Sequence, residues 1–190
     1  MAIGSPDKTA RLDQLRTFAR VQVRSGYRSA EDVYADVLDA VRAEVPDDTR
    51  ARPLADEFIA DAQQTWRAEA RSWPEPSEFD RLQAAFTDLW AGGVVVLQAI
   101  EDHWSAHDTL QRLTAAGEQP RGAAYFTHTD IWHCIENGML ELNVWHGTTA
   151  NVAEGDELLD FVRDTLAAHG IDSLFDEGRI EVTVQWQRRP

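Results

Sequence analysis

The sequence predicts an α+β protein in which a helical N-terminal half packs on a five-stranded mixed sheet. Two observations indicate this class. Apolar residues recur at helical spacing up to about residue 90, and beyond Gly92-Gly93 short runs of strand length alternate with helical segments. The order of elements in the second half, β-α-β-α-β-α-β-β, favours a partly parallel sheet that closes with a hairpin.

Four helices are expected in the N-terminal half, and serines at their starts cap the second and the fourth. They cover about residues 8–23, 30–45, 54–73 and 78–90. Pro74 and Pro76 interrupt the chain after the third helix, because a residue that precedes proline avoids the α region. We therefore expect a helical region at residues 1–76 and a sheet region at residues 77–190, joined in one integrated globular unit.

The sheet region begins with Val94–Ile100, a nearly continuous apolar run that is typical of a strand covered on both faces. Met139–His146 alternates instead, so Leu140, Leu142 and Val144 are expected to face the core. The other predicted elements are a strand at 123–127, helices at about 105–116, 129–137 and 155–169, and a closing hairpin with arms at 171–175 and 180–186. Asp176-Glu177-Gly178 forms its predicted turn.

Charge and cysteine content restrict the function classes. Asp and Glu outnumber Lys and Arg by 33 to 18, giving a net charge of −15. Such a charge repels phosphate backbones, which argues against a nucleic-acid partner, and it suits either a solvated acidic surface or a basic protein partner. The single cysteine, Cys134, excludes an intramolecular disulfide and fits a reducing compartment. With no apolar segment in the N-terminal MAIGSPDKTARLDQ and no membrane-length apolar run, we expect a cytoplasmic protein and no membrane contact.

Four stretches of the C-terminal half carry a family resemblance. They read DRLQAAFTDLWAGGVVV, RGAAYFTHTD, GMLELNVW and RIEVTVQWQRR. Over roughly residues 80–190 the chain resembles an uncharacterised bacterial family known only as a domain of unknown function. At the histidine position of that family this chain has Thr127, with His128 one step later, and Glu101–His107 replaces a cysteine-rich turn. The resemblance implies a fold and no known reaction.

Histidines at strand ends suggest a metal site. His103, His128 and His146 each end or follow a predicted strand. If these strands are parallel, their carboxyl ends share one edge, where three imidazoles could bind Zn²⁺ and leave a position for water. Asp102 or Asp130 could then orient a ligand or act as a base. The alternative is that these are ordinary loop histidines that never meet.

The short helix offers a second candidate site. Asp130, His133 and Cys134 are spaced so that they share one helix face, and a cysteine beside a histidine can be an activated thiolate. The alternative is structural, because Asp near a helix start and His near its end both suit the helix dipole.

Two further features concern the next helix and the tryptophans. His103 and His107 have HxxxH spacing, but Ser105 is expected to begin the helix and leave His103 outside it. Trp104 and Trp145 lie outside the predicted core positions, so they are candidates for a binding surface, with packing under a helix as the alternative.

No phosphate-binding loop, nucleophile elbow or dinucleotide motif is present. The sequence therefore favours a non-catalytic binding or interaction protein with an acidic surface. The alternative is a zinc-dependent or thiol enzyme that uses the histidines at the strand ends. The oligomeric state stays open.

Overall fold

A computed structural model describes residues 8–190, which form seven α-helices and one five-stranded mixed sheet. The predicted fold class and order of elements are confirmed. The helices are α1 (Lys8–Ser25), α2 (Ala30–Glu44), α3 (Asp48–Ala70), α4 (Glu78–Ala91), α5 (His103–Ala115), α6 (His128–Asn137) and α7 (Glu157–Ala168). The strands are β1 (Val94–Ile100), β2 (Gly122–Thr127), β3 (Met139–His146), β4 (Ser173–Asp176) and β5 (Arg179–Thr183). The first seven residues, which contribute to the predicted lack of a signal sequence, lie outside the described residues.

The described chain divides into two compact units. The helical unit contains residues 8–73 together with residues 188–190, and the sheet unit contains residues 74–187. The sequence placed the boundary at residue 76. That the two regions form one integrated globule stays a prediction.

The helical unit is built from α1, α2 and α3 around a core that includes Val37, Val41 and Phe58. The third helix begins at Asp48 rather than near Leu54, so its predicted start was wrong. The Asp47 side chain caps it by accepting a hydrogen bond from the Thr49 backbone N–H at 3.0 Å. This cap stabilises the first turns of α3, which the polar, proline-containing sequence did not indicate.

The last residues of the chain are fixed to the helical unit by aromatic side chains. The Trp66 indole N–H donates a hydrogen bond of 2.7 Å to the backbone carbonyl of Arg188. The Arg188 guanidinium lies 4.4 Å from the centre of the Tyr27 ring. These contacts hold Arg188 beside α3 and the turn that follows α1.

The sheet has the strand order β1-β2-β3-β5-β4, in which only β1 and β2 are parallel. β1 is therefore an edge strand, but α4 and α5 both pack against it, which accounts for its apolar sequence. α5 covers one face through Leu110, beside Val95 and Ala123. On the other face α4 places Phe86 against Phe126, with ring centres 6.0 Å apart.

The aliphatic row of β3 lies in the core, as predicted. Leu140, Leu142 and Val144 are fully buried. Gly122, the first residue of β2, lies opposite the end of β3. A Cβ at this position would collide with the Trp145 carbonyl and the Leu158 side chain. Glycine is thus required where β2 begins.

The closing hairpin is also confirmed, with a tighter turn than predicted. Glu177 and Gly178 have φ of 44° and 93°, the positive values that a two-residue type I′ turn requires. β5 ends at Thr183 rather than at Trp186, yet Trp186 is buried against Phe79. None of the helices among residues 8–190 has the length and apolarity that crossing a bilayer requires.

Candidate binding surface

Four ring side chains form a continuous row over the sheet face that α5 covers. The ring centres of Trp104 and His103 are 4.7 Å apart, those of His103 and Trp145 are 6.4 Å apart, and those of Trp145 and Tyr125 are 4.9 Å apart. We call these residues the aromatic row. Its two tryptophans are the two that the sequence suggested for a binding surface, and the structure brings them together through His103.

The aromatic row leads from solvent into the core. Trp104 has 60% of its surface exposed, His103 is also exposed, Trp145 is half-buried, and Tyr125 is 3% exposed. A tryptophan that is more than half exposed is unusual, because the indole is the largest apolar side chain. The outer end of the row therefore offers an apolar contact surface supported by packed rings beneath it.

Local sequence explains how each ring is positioned. Asp102 caps α5 by accepting a hydrogen bond of 3.1 Å from the Ser105 N–H, so His103 and Trp104 form the first turn of the helix. In β3, Trp145 pairs with Ala123 of β2, and Tyr125 pairs with Asn143. Paired residues of antiparallel strands share a face, which puts Tyr125 and Trp145 on the side opposite Leu140 and Leu142.

Acidic groups surround the row. Glu101 and Asp102, directly before His103, are both exposed. Glu101 makes no ion pair or side-chain hydrogen bond within residues 8–190. At the inner end, burial and then the negative charge of Asp130 raise the pKa of Tyr125 to about 12. Carboxylates therefore lie near both ends of the row.

The three histidines at strand ends do not share one edge of the sheet, so that expectation is wrong. β2 and β3 are antiparallel, and Gly122 pairs with His146. His128 follows Thr127, the other end of β2, which lies about 17 Å from Gly122 at the usual rise per strand residue. Only His103 and His128 follow the same end, because Ile100 pairs with Thr127. Within residues 8–190 no three His, Cys, Asp or Glu side chains are grouped as metal ligands.

His146 has a different partner. Its Nε2 lies 2.9 Å from a carboxylate oxygen of Asp156, and the same oxygen accepts a hydrogen bond of 2.7 Å from the Ala153 N–H. The backbone hydrogen bond and then the His146 contact lower the pKa of Asp156. This pair holds the turn after β3 against the start of α7.

The predicted grouping of Asp130, His133 and Cys134 is also wrong. Asp130 completes the capping box of α6 with Thr127, the capping residue, and its carboxylate accepts hydrogen bonds from the Thr127 N–H and hydroxyl at 2.6 and 2.8 Å. His133 is exposed, whereas Cys134 is 1% exposed and donates from Sγ to the Val184 carbonyl at 3.3 Å. A helix turns by about 100° per residue, so these neighbours face solvent and core respectively.

His103 and His107 both lie in α5, contrary to the expectation that Ser105 begins the helix. Asp102 is the capping residue instead. Trp104 lies between them, with its ring 5.9 Å from that of His107. The two histidines flank an exposed indole at the start of the helix.

Sequence reasoning missed Tyr125 as a member of the row. No local pattern indicates it, because only the register of β2 and β3 places Tyr125 two residues from Ala123, the partner of Trp145. It also missed Ala99, which has a left-handed φ of 56° where the pairing of β1 with β2 shifts between Leu97 and Ile100. Nothing in the apolar sequence of β1 indicates this bulge.

The fold and the aromatic row define an α+β protein with an exposed aromatic surface on one face of a mixed sheet. The chain belongs to the family described as a domain of unknown function, DUF6891, whose sequence profile matches residues 8–190. The predicted family resemblance is thereby confirmed and extends over the helical unit. No curated protein and no solved structure is significantly similar to the chain.

Proposed function

We propose that this chain is a non-catalytic, cytoplasmic binding protein that takes a basic segment of a protein partner at the aromatic row. The observation that carries the proposal is the 60% exposure of Trp104 beside His103 and the carboxylates of Glu101 and Asp102. Arginine and lysine side chains bind the faces of indole rings and pair with carboxylates. Exposed tryptophans are also frequent among the residues that dominate interface energies.

The charge of the chain supports the same kind of partner. A net charge of −15 attracts basic proteins at long range and accelerates their encounter. Glu101 has no internal cation to compete with an incoming one within the described residues. The buried position of Cys134 gives no support to the alternative of a thiol enzyme.

A binding titration with a fluorescent lysine- and arginine-rich peptide tests the proposal. We expect salt-sensitive binding, and no binding of a glutamate-rich peptide of equal length. Trp104→Ala should weaken the affinity by about tenfold, the effect of removing an interface tryptophan. Trp90→Ala is the matched control, because Trp90 on α4 is also 60% exposed but lies outside the row. Equal effects of the two variants, or binding that ignores peptide charge, would refute the proposal.

Elemental analysis separates the proposal from the zinc-enzyme alternative. We expect purified protein to contain no stoichiometric zinc, because His146 lies away from His103 and His128. Stoichiometric zinc that disappears when both His103→Ala and His128→Ala are introduced would favour the alternative.

A further inference from the structure

The helical unit contains a pocket that the proposed function does not use. It has a volume of about 340 Å³, which is in the range of small-molecule sites. Its walls come from α1, α2, α3 and the end of the chain, and its apolar part is made by Val23, Val33, Ile59 and Trp66. The Trp66 indole is fixed in this wall by its hydrogen bond to the Arg188 carbonyl.

Two arginines, Arg28 and Arg67, give the pocket a positive charge. Most arginines of this unit pair with carboxylates, such as Arg20 and Arg24 with Glu69. Arg67 differs, because no described carboxylate lies within ion-pair distance of it. On a chain of net charge −15, such an arginine at a pocket wall is available for an external anion.

Arg28 adds a donor without an acceptor. One of its terminal nitrogens lies 3.0 Å from Asp36. Its Nε, in contrast, is buried and has no hydrogen-bond partner within residues 8–190. Buried donors are nearly always satisfied in folded proteins, and this unsatisfied one belongs to an arginine that lines the pocket.

We infer that this pocket binds a small ligand with an apolar body and a single carboxylate. The aliphatic and indole walls match the apolar body, and guanidinium groups match carboxylates in both charge and geometry. The acidic chain repels multiply charged anions such as nucleotides. A ligand with one negative charge is attracted by the two guanidinium groups and is repelled least by the acidic surface.

Titration of the full chain with octanoate tests the inference. Octan-1-ol has the same tail without the charge, and octylamine reverses the charge. The Trp66 indole N–H resonance reports on the site, because that ring lies in the pocket wall. We expect octanoate to shift this resonance and bind at least about tenfold more tightly than octan-1-ol, since hydrogen bonds to charged groups are the stronger ones. We expect no shift with octylamine.

Arginine variants then locate the carboxylate. Arg67→Met keeps the apolar stem and should weaken octanoate binding about tenfold. Arg50→Met is the matched control, because Arg50 is an exposed arginine near the other end of α3 and does not line the pocket. Asp36→Asn removes the carboxylate that competes for Arg28 and should tighten octanoate binding.

The inference is overturned if octanoate and octan-1-ol bind equally, or if Arg67→Met and Arg50→Met have the same effect. It is also overturned if octanoate leaves the Trp66 resonance unchanged. Since Arg67 is exposed and makes no ion pair in the described chain, its variant should fold normally and give a decisive result.

Discussion

The indole of Trp145 meets the phenol ring of Tyr125 edge-on, with 4.9 Å between ring centres and 76° between ring planes. This contact joins the half-buried part of the aromatic row to the sheet interior. Edge-to-face pairs of this kind contribute about 0.5–1.5 kcal/mol beyond the burial of their surfaces. The contact thus gives the outer rings a rigid base, which under the proposed function would reduce the entropy lost on binding.

Ionisation of the Tyr125 hydroxyl provides a measurement at the buried end of the aromatic row. Burial and the charge of Asp130 raise its pKa from 10.0 to about 12. The folded protein then retains the phenol proton at pH values where the unfolded chain has lost it. This contribution to stability is complete below pH 10.0 and is lost as the pH rises towards 12.

We therefore expect a tyrosinate absorbance titration of the folded protein to contain a step near pH 12 that belongs to Tyr125. Tyr125→Phe should remove this step and flatten the fall in unfolding free energy at alkaline pH. Tyr34→Phe, in the helical unit, is the control. Loss of the step near pH 12 in the control instead would contradict the assignment.

Ala99 provides a stability prediction. Its φ of 56° lies in the left-handed region, where a Cβ costs about 1–2 kcal/mol. Glycine avoids this strain but loses more backbone entropy, about 0.5–1 kcal/mol. Ala99→Gly should therefore raise the free energy of unfolding by about 0.5–1 kcal/mol in a denaturant titration. Ala84→Gly, at an exposed position within α4, should lower it by about 1 kcal/mol. A decrease in both variants would exclude strain at Ala99.

The sequence predicted elements that depend on local periodicity. The core row of β3 and the capping serines of α2 and α4 are present as expected. It did not predict which strands are parallel, because the segment from Thr127 to Met139 is long enough for α6 under either pairing. The antiparallel pairing of β2 with β3 separates His128 from His146. The predicted metal site required the correct pairing of distant strands. The prediction that Trp145 faces away from Leu140 and Leu142 required only the alternation of side chains along one strand.

Helix faces raised a similar difficulty. Spacing placed His133 and Cys134 near each other, but adjacent residues of a helix diverge, and only tertiary packing decides which one is buried. The Val184 carbonyl, 50 residues further along the chain, accepts the hydrogen bond from Cys134 Sγ. Local spacing of residues in the sequence cannot predict a contact over this distance along the chain.

Burial of Cys134 predicts slow thiol labelling. Because the side chain is 1% exposed, the thiol should react only when the fold opens, at least about a hundredfold more slowly than in the denatured chain. The single cysteine makes the measurement unambiguous. His133→Cys combined with Cys134→Ala is the control, since position 133 is exposed and its thiol should label at the rate of an unfolded peptide. Fast labelling of the native protein would restore the thiol-enzyme alternative.

The contact of Asp156 with His146 predicts a dependence of stability on acid pH. The hydrogen bond from the Ala153 N–H and then the one involving His146 lower the pKa of Asp156 below its usual 3.8. A depressed carboxyl pKa contributes stability that is present above the unfolded value and is lost as the pH falls through the folded value. Asp156→Asn should therefore lower the unfolding free energy near neutral pH, and its difference from wild type should shrink below pH 3.8.

Denaturant titrations of both proteins at a series of pH values measure this difference. Asp88→Asn is the control, because Asp88 also contacts a histidine, His169, at 2.7 Å, but is 63% exposed and accepts no backbone hydrogen bond at its carboxylate within residues 8–190. We expect the smaller loss of stability in this control, since pairs between exposed side chains contribute little. A difference for Asp156→Asn that stays constant down to the lowest pH would mean that the ionised carboxylate does not stabilise the turn.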